Sequence, residues 1–355
     1  TAVLGPQKQI YGAEIWFNPA KAVGSYDPGG RMFMVTLHEV MHALGMPHPG
    51  DYNRSPTEPI LYDKHAEYMQ DSLQYTVLSY FGAAETGAQH GGRFAATPLL
   101  HDIAALQALY GPNLSTRTGD TVYGYGSTAD RSQYDFAVNT RPVLAIWDAG
   151  GVDRLDFSGS ALAVNVDLAP GAFSDAFGMT RNIAIAYGVT IENAVGGSGA
   201  DSIAGNEVAN VLQGLAGADV LVGAGGLDSL YGGVGDDLLL GGADDDVVWG
   251  GVGVDRLYGD DGRDLLVGEA DSDELWGGTG DDRLYGGASR DLLVGEGGAD
   301  EIWGGEDDDR LYGSAGTDLL IGEAGADQVW GGDAEDRLYG WAGSDLLVGE
   351  SGDDL

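Results

Sequence analysis

The sequence predicts an α+β region, then an all-β region, then a long β-solenoid. Three observations carry that prediction. Residues 31–44 contain no proline or glycine and are rich in Met and Leu, as a helix requires. Residues 115–195 break into short runs of Thr, Val, Tyr, Asp and Gly, the pattern of strands joined by tight turns. From Gly196 onward the chain is a nine-residue repeat without one insertion or deletion.

Composition narrows the functional classes. The 355 residues are enough for two or three domains, and they include 61 glycines and no cysteine. Asp and Glu number 56 against 17 Lys and Arg, for a formal net charge of −39. Phosphates would be repelled, which excludes nucleic acid and anionic membrane surfaces as partners and favours cations. The hydrophobic fraction of 43 % and the periodic glycines argue against disorder. No apolar run approaches transmembrane length. The chain opens on Thr1 without a signal peptide, so it is expected to be mature or partial.

Taken in order, Ala13-Glu14-Ile15-Trp16-Phe17 alternates as a strand does, and a Pro/Gly-rich loop at 26–30 leads into the first helix. That helix carries His38-Glu39-Val40-Met41-His42-Ala43-Leu44-Gly45-Met46-Pro47-His48. Residues i and i+4 share a helix face, so His38 and His42 can offer two imidazoles to one metal. Gly45 can take positive φ and turn the chain so that His48 supplies a third. Glu39 sits beside the ligand face, where a carboxylate can take a proton from water on the metal. Three imidazoles with an open fourth position describe a catalytic zinc site.

Residues 50–70 are polar and proline-bearing, as a surface loop is, and Gln74-Tyr75-Thr76-Val77-Leu78-Ser79-Tyr80-Phe81 follows. Thr97-Pro98 predicts a second helix with Thr97 as N-cap, Pro98 at N1, an apolar stripe through 99, 100, 103 and 106, and Gly111 beyond its end. His101 on that helix is given no role.

Seventeen complete nonapeptides start at Gly196, Gly205, Gly214 and so on to Gly340, and an eighteenth is cut at Leu355. They follow G-G-x-G-x-D-x-U-x, a calcium-binding pattern. Position 1 is always glycine, position 6 is aspartate except at Asn210, and position 8 is Leu, Ile or Val. Glycines permit left-handed turns, the aspartate binds calcium, and the apolar residue points into a thin core. Without calcium the stacked aspartates would repel, so folding is expected to be coupled to the metal. Position 4 is not glycine at Val208, Asp244, Asp271, Ser289, Asp307 and Ala334, where strain or weaker calcium binding is expected. From about Gly241 the repeat ends cycle with a period of 27: Trp249, Tyr258, Val267, then Trp276, Tyr285, Val294, then Trp303, Tyr312, Ile321, then Trp330, Tyr339, Val348. Positions 7 and 9 should face outward and form ladders of Trp, Tyr and Leu or Val, a surface for self-association or a partner.

These motifs resemble the serralysin family, secreted bacterial metzincin proteases of peptidase family M10 with RTX repeats. The resemblance covers Ala13-Glu14-Ile15-Trp16-Phe17-Asn18, the stretch from His38 to Asn53, the Met-turn-like Gln74 to Phe81, the bridge and the repeat. In the family about half of the catalytic domain precedes this point. The resemblance implies residues 1–114 as the C-terminal part of a zinc protease domain, 115–195 as a calcium-binding bridge, and 196–355 as a parallel β-roll with two nonapeptides per coil. It implies one catalytic zinc on His38, His42 and His48, Glu39 as general base, and Tyr80 as a further zinc ligand that also meets the reaction intermediate. Leu78 stands where the family has its Met-turn methionine, an apolar swap of similar volume. One calcium site would use Arg117, Gly119, Thr121, Asp148, Gly150 and Asp153, and a neighbour Gly151, Asp153, Thr190 and Glu192. On the roll, Gly197, Gly199 and Asp201 would face Gly214, Ala216 and Asp219. The row would continue through Asp228, Asp237, Asp246, Asp255, Asp264, Asp273, Asp282, Asp291, Asp300, Asp309, Asp318, Asp327, Asp336 and Asp345. A three-sided coil of 27 residues is the second architecture.

The expected function is a zinc-dependent, calcium-stabilised endopeptidase that cleaves proteins or peptides outside a Gram-negative cell, exported by type I secretion machinery. The second expectation is an extracellular or cell-surface calcium-binding assembly protein with a vestigial protease site.

Overall fold

The computed structural model describes residues 2–4, 10–13, 15, 24–50, 52 and 59–355. The chain divides into two compact units, one of residues 1–153 and 169–191, the other of 154–168 and 192–355. Residues 115–195 therefore contribute to both.

In the first unit, helix α1 spans Arg31–Ala43. It ends at Gly45 with φ of +91°, and Met46 N returns to Met41 O at 3.1 Å, so the glycine turns the chain as its position suggested. Ala13 closes a strand, Ile10–Ala13, that pairs antiparallel with Ala2–Leu4; Glu14, Trp16 and Phe17 lie outside the described residues. The 50–70 stretch includes one helical turn, Tyr62–His65. Helix α2 spans Leu100–Tyr110, not starting at Pro98. The reason is a long-range demand on Thr97: its hydroxyl accepts Ala145 N at 2.8 Å instead of capping the helix. At the other end Gly111 takes φ of +83° and returns its N–H to Gln107 O at 2.8 Å. A three-stranded sheet joins Leu144–Ile146, Ile183–Ile185 and Phe173–Ser174.

The second unit is a parallel β-roll. From Asn193 onward strands pair with those 18 residues on, as in Leu265↔Arg283 and Leu275↔Leu293, so two nonapeptides make one coil. One sheet has ten strands and runs from Asn165–Asp167 to Leu346–Ser351; the other passes through Arg154–Asp156 and Asn193–Val195 and reaches Arg337–Tyr339. The three-sided 27-residue coil is not formed. Position 8 fills the interior: Leu221, Leu230, Leu239, Leu257, Leu275 and Leu311 are all fully buried. Each such leucine contributes roughly 1.5–3 kcal/mol.

The 27-residue period laid on an 18-residue coil decides what stacks outside. On a given sheet the successive position-9 residues read Tyr258, Trp276, Val294, Tyr312, Trp330, Val348. Tyrosine therefore stacks on tryptophan rather than on its own kind. The pairs Tyr258–Trp276, Tyr285–Trp303 and Tyr312–Trp330 have centroids 4.6–4.7 Å apart and planes within 3–7°. Position 7 is complementary in the same way: Arg256 meets Glu274 at 2.9 Å and Arg283 meets Glu301 at 3.1 Å.

Glycine serves two purposes in the repeat. At position 4 it takes positive φ, as at Gly235 (+137°) and Gly280 (+133°). Where position 4 is Asp244, Asp271, Ser289, Asp307 or Ala334 the backbone keeps φ of +73° to +88°, so those five residues are strained, as are position-2 residues such as Leu215 and Glu269; Val208 avoids it. Each such residue costs about 1 kcal/mol. Position 1 is different, because its constraint is space. A Cβ on Gly268 would lie 2.3 Å from Asp273 Oδ2 and 2.7 Å from Gly286 O. Gly297, at position 3, would meet only Gly278 O at 3.8 Å. Gly268→Ala is therefore expected to destabilise the calcium-loaded roll by about 1–3 kcal/mol in thermal unfolding, with Gly297→Ala near wild type. Equal effects would refute the spatial reading.

Candidate active site and cation sites

Helix α1 projects His38 and His42 from one face, and the turn at Gly45 brings His48 to them. The three Nε2 atoms lie 3.1, 3.0 and 3.2 Å from one another. His38 Nδ1 lies 2.7 Å from Val77 O, and His42 Nδ1 lies 2.8 Å from Met46 O. A carbonyl only accepts, so both Nδ1 atoms carry the proton and both Nε2 atoms present lone pairs. Burial, opposed in part by the Val77 hydrogen bond, lowers the pKa of His38. Burial, with His42 and His38 adding, lowers that of His48 to about 4. Three imidazole nitrogens converging at 3 Å, two of them with their Nδ1 protons held by carbonyls, fit a cation. Among the described residues this is the one His, Cys, Asp or Glu trio whose ligand atoms all lie within 4.8 Å.

Beneath the trio lies an apolar floor. Leu78 is buried with Met34, Met41, Met46, Val77, Ala95 and Leu99. Asp102, on the first turn of α2, holds that floor: Val77 N and Leu99 N donate to its Oδ2 at 2.9 Å each, and Thr76 Oγ1 donates to its Oδ1 at 2.5 Å. Burial raises the carboxyl pKa to about 6 against those three hydrogen bonds. Asp102 thus fixes the residue whose carbonyl fixes His38.

Glu39 is half-buried. Burial raises the pKa of Tyr80 with the Glu39 charge adding, and the same charge partly opposes the lowering at His38 and His48, which sets Glu39 near all three. The Tyr80 ring lies 6.0 Å from the His38 ring and 4.7 Å from His48, with its other neighbour Tyr52 at 4.6 Å. The His101 ring lies 4.9 Å from that of Tyr75, tilted by 37°, and approaches the Tyr68 hydroxyl at 3.5 Å.

The expected bridge residues are placed as follows. Thr121 N donates to Asp153 Oδ1 at 2.8 Å and Thr121 Oγ1 to Gly119 O at 2.9 Å. Gly151 packs on Gly119, with room for no Cβ. The Asp148 carboxylate accepts Gly150 N at 2.8 Å and the Tyr123 hydroxyl, with Arg117 Nε at 3.9 Å. Thr190 is exposed, and Glu192 belongs to the second unit, where its carbonyl accepts Asn210 Nδ2 at 2.6 Å.

In the roll, Asp201 N donates to Asp219 Oδ1 at 2.7 Å, and the same bond recurs every coil, as from Asp273 N to Asp291 Oδ1 at 2.8 Å. Gly199 stacks under Gly217, and Ala216 N donates to Gly197 O at 3.3 Å. From Asp219 to Asp336 the position-6 Oδ2 is buried and has no hydrogen-bond partner among the described residues. Such a row of orphaned anionic oxygens fits hard cations. Burial raises Asp237, Asp264 and Asp300 to about 7 and Asp291 to about 8, with like-charged neighbours adding. Two positions differ. Asp201 has both oxygens satisfied, by Val164 N and Gly197 N, and Asn210 supplies its own donor to Glu192 O and Asn206 Oδ1. Asp345 is only partly buried.

Sequence reasoning passed over Asp102, Asp71 and Tyr52. Asp102 had a legible signal, a carboxylate three residues into a helix start; the other two had none until the rings were seen together.

A family profile described as Peptidase M10 serralysin C terminal matches residues 112–336, and one described as RTX calcium-binding nonapeptide repeat matches 321–355. The chain is 47 % identical over 179 residues to Serralysin C of Dickeya chrysanthemi, covering 50 % of this chain and 36 % of that one. It is 44 % identical over 214 residues to Serralysin of Proteus mirabilis, covering 58 % and 43 %. It is 46 % identical over 201 residues to Metalloprotease AprA of Pseudomonas entomophila, covering 55 % and 40 %. The chain spans about two fifths of the length of these curated relatives. With the repeat, the roll and the profile over most of its length in agreement, the chain belongs to the serralysin C-terminal family of M10 peptidases with RTX calcium-binding repeats.

Proposed function

We propose that this chain carries the metal-binding part of a secreted zinc endopeptidase and the calcium-bound roll that accompanies it. The observation that carries the reading is the convergence of the His38, His42 and His48 Nε2 atoms at 3.0–3.2 Å. A zinc ion held there supplies Lewis acidity and a nucleophilic water near neutral pH. The chain's own groups then divide the work. Val77 O and Met46 O hold the two helical imidazoles in the tautomer that leaves Nε2 free. Glu39 takes the proton of the attacking water and returns it to the leaving amine. The Tyr80 hydroxyl donates to the oxyanion that develops on the peptide carbonyl. Substrates are proteins or peptides, as the metalloprotease name of a relative suggests.

The roll binds calcium along its two rows of position-6 aspartates, beginning at Asp219 and Asp228, and residues 115–195 form a bridge with its own calcium. A protein of this family and charge operates outside a Gram-negative cell, exported by type I machinery. Among the described residues no helix is long and apolar enough to cross a membrane.

Two outcomes test this. Glu39→Gln should retain one zinc per chain by elemental analysis while cleavage of an unfolded protein substrate falls by about 100-fold or more. Cleavage within a few fold of wild type would remove Glu39 as the base. The second concerns the roll without calcium. Its folded-state pKa values, about 6 to 8, lie above the ordinary carboxyl value of roughly 4 in the unfolded chain. Protonation therefore favours the fold, and its contribution is present at acid pH and lost as pH rises through 6 to 8. In chelator, far-UV circular dichroism should show strand signal at pH 5 that disappears by pH 8. A signal that grows with rising pH would contradict the buried-carboxylate account.

A further inference from the structure

Tyr80 is 53 % exposed, so no core fixes its ring. Its neighbours are the rings of His38, His48 and Tyr52. Tyr52 is the immobile one. It is 6 % exposed, packs edge-on against Phe81 at 5.5 Å, and lies face to face with Tyr80 at 4.6 Å and 20°. Its hydroxyl lies 2.5 and 2.7 Å from the two oxygens of Asp71, which is completely buried. Burial and that carboxylate both hold the Tyr52 phenol in its protonated form, so it donates and Asp71 accepts. Space is reserved for the pair: a Cβ on Gly50 would come within 2.8 Å of the Tyr52 ring and 3.3 Å of Asp71 Oδ2.

We infer that Tyr52, tethered by Asp71, is a positioning residue for Tyr80: it is the fixed platform against which the exposed ring rests while its hydroxyl serves the metal centre. The inference rests on the zinc reading of His38, His42 and His48 and deepens it. An exposed tyrosine samples several rotamers. A ring clamped on one face by a buried, tethered neighbour returns to one. Asp71 reaches Tyr80 through Tyr52; the Tyr52 ring also lies 5.4 Å from the His48 ring, and the Asp71 charge partly opposes the lowering of the His48 pKa.

The test uses the full chain with copper(II) bound in place of zinc, where a tyrosine ligand gives a phenolate-to-copper charge-transfer band. The band should be present in the unsubstituted chain and absent in Tyr80→Phe. Tyr52→Leu should lose most of it with one copper per chain retained. With zinc restored, kcat should fall about 10-fold at nearly constant KM. Tyr52→Phe keeps the ring and loses the tether, and should give an intermediate band; Asp71→Asn should match it. An undiminished band in both Tyr52 variants overturns the inference and leaves the zinc reading intact. No Tyr80-dependent band in the unsubstituted chain overturns the assignment of Tyr80 itself, and this inference with it.

Discussion

A carboxylate buried with one oxygen hydrogen-bonded and the other bare is the constraint on which the roll depends. Oδ1 of each position-6 aspartate ties its coil to the preceding one through a main-chain N–H, while Oδ2 is closed in against the position-1 glycine. The first contact builds the solenoid and the second loads it with charge. Position 8 supplies a core one side chain thick, which cannot offset rows of unneutralised anions. Cations convert the liability into the bond that holds the coils, and this accounts for a net charge of −39 in a folded chain.

The same logic, with the sign reversed, governs the histidine site. There the chain gathers lone pairs rather than charges, and it does so by spending carbonyls: Val77 O and Met46 O take the Nδ1 protons and so decide where the Nε2 atoms point. Support for the site runs outward through buried polar side chains. Asp102 holds the Val77 backbone, and Asp71 holds Tyr52. Both are buried acids held by hydrogen bonds, Asp102 by three donors and Asp71 by the Tyr52 hydroxyl, which makes the site rigid without enlarging its core.

Local rules read from the sequence were obeyed where local physics decides. The helix of residues 31–43, the turn at Gly45, the inward position 8 and the parallel roll follow from propensity, backbone freedom and period. What escaped was set by residues far apart in the chain. Thr97 looks like a cap until Ala145, 48 residues on, claims its hydroxyl. Position-1 glycine looks like a turn residue, but its neighbour's carboxylate is what excludes a side chain. The 27-residue period invites a three-sided coil, and only the strand register shows that it acts between coils, matching Tyr to Trp and Arg to Glu. Tyr52 sits 28 residues from the ring it faces, a pairing no spacing rule encodes.

The most direct measurement is a calcium titration of the full chain at pH 8, followed by near-UV circular dichroism of the stacked Tyr–Trp pairs. Those rings meet only when successive coils are in register. The account requires their signal to be absent in chelator and to appear cooperatively as calcium is added. A full signal in chelator at that pH would mean that the buried carboxylates are tolerated bare, and the central claim would fall.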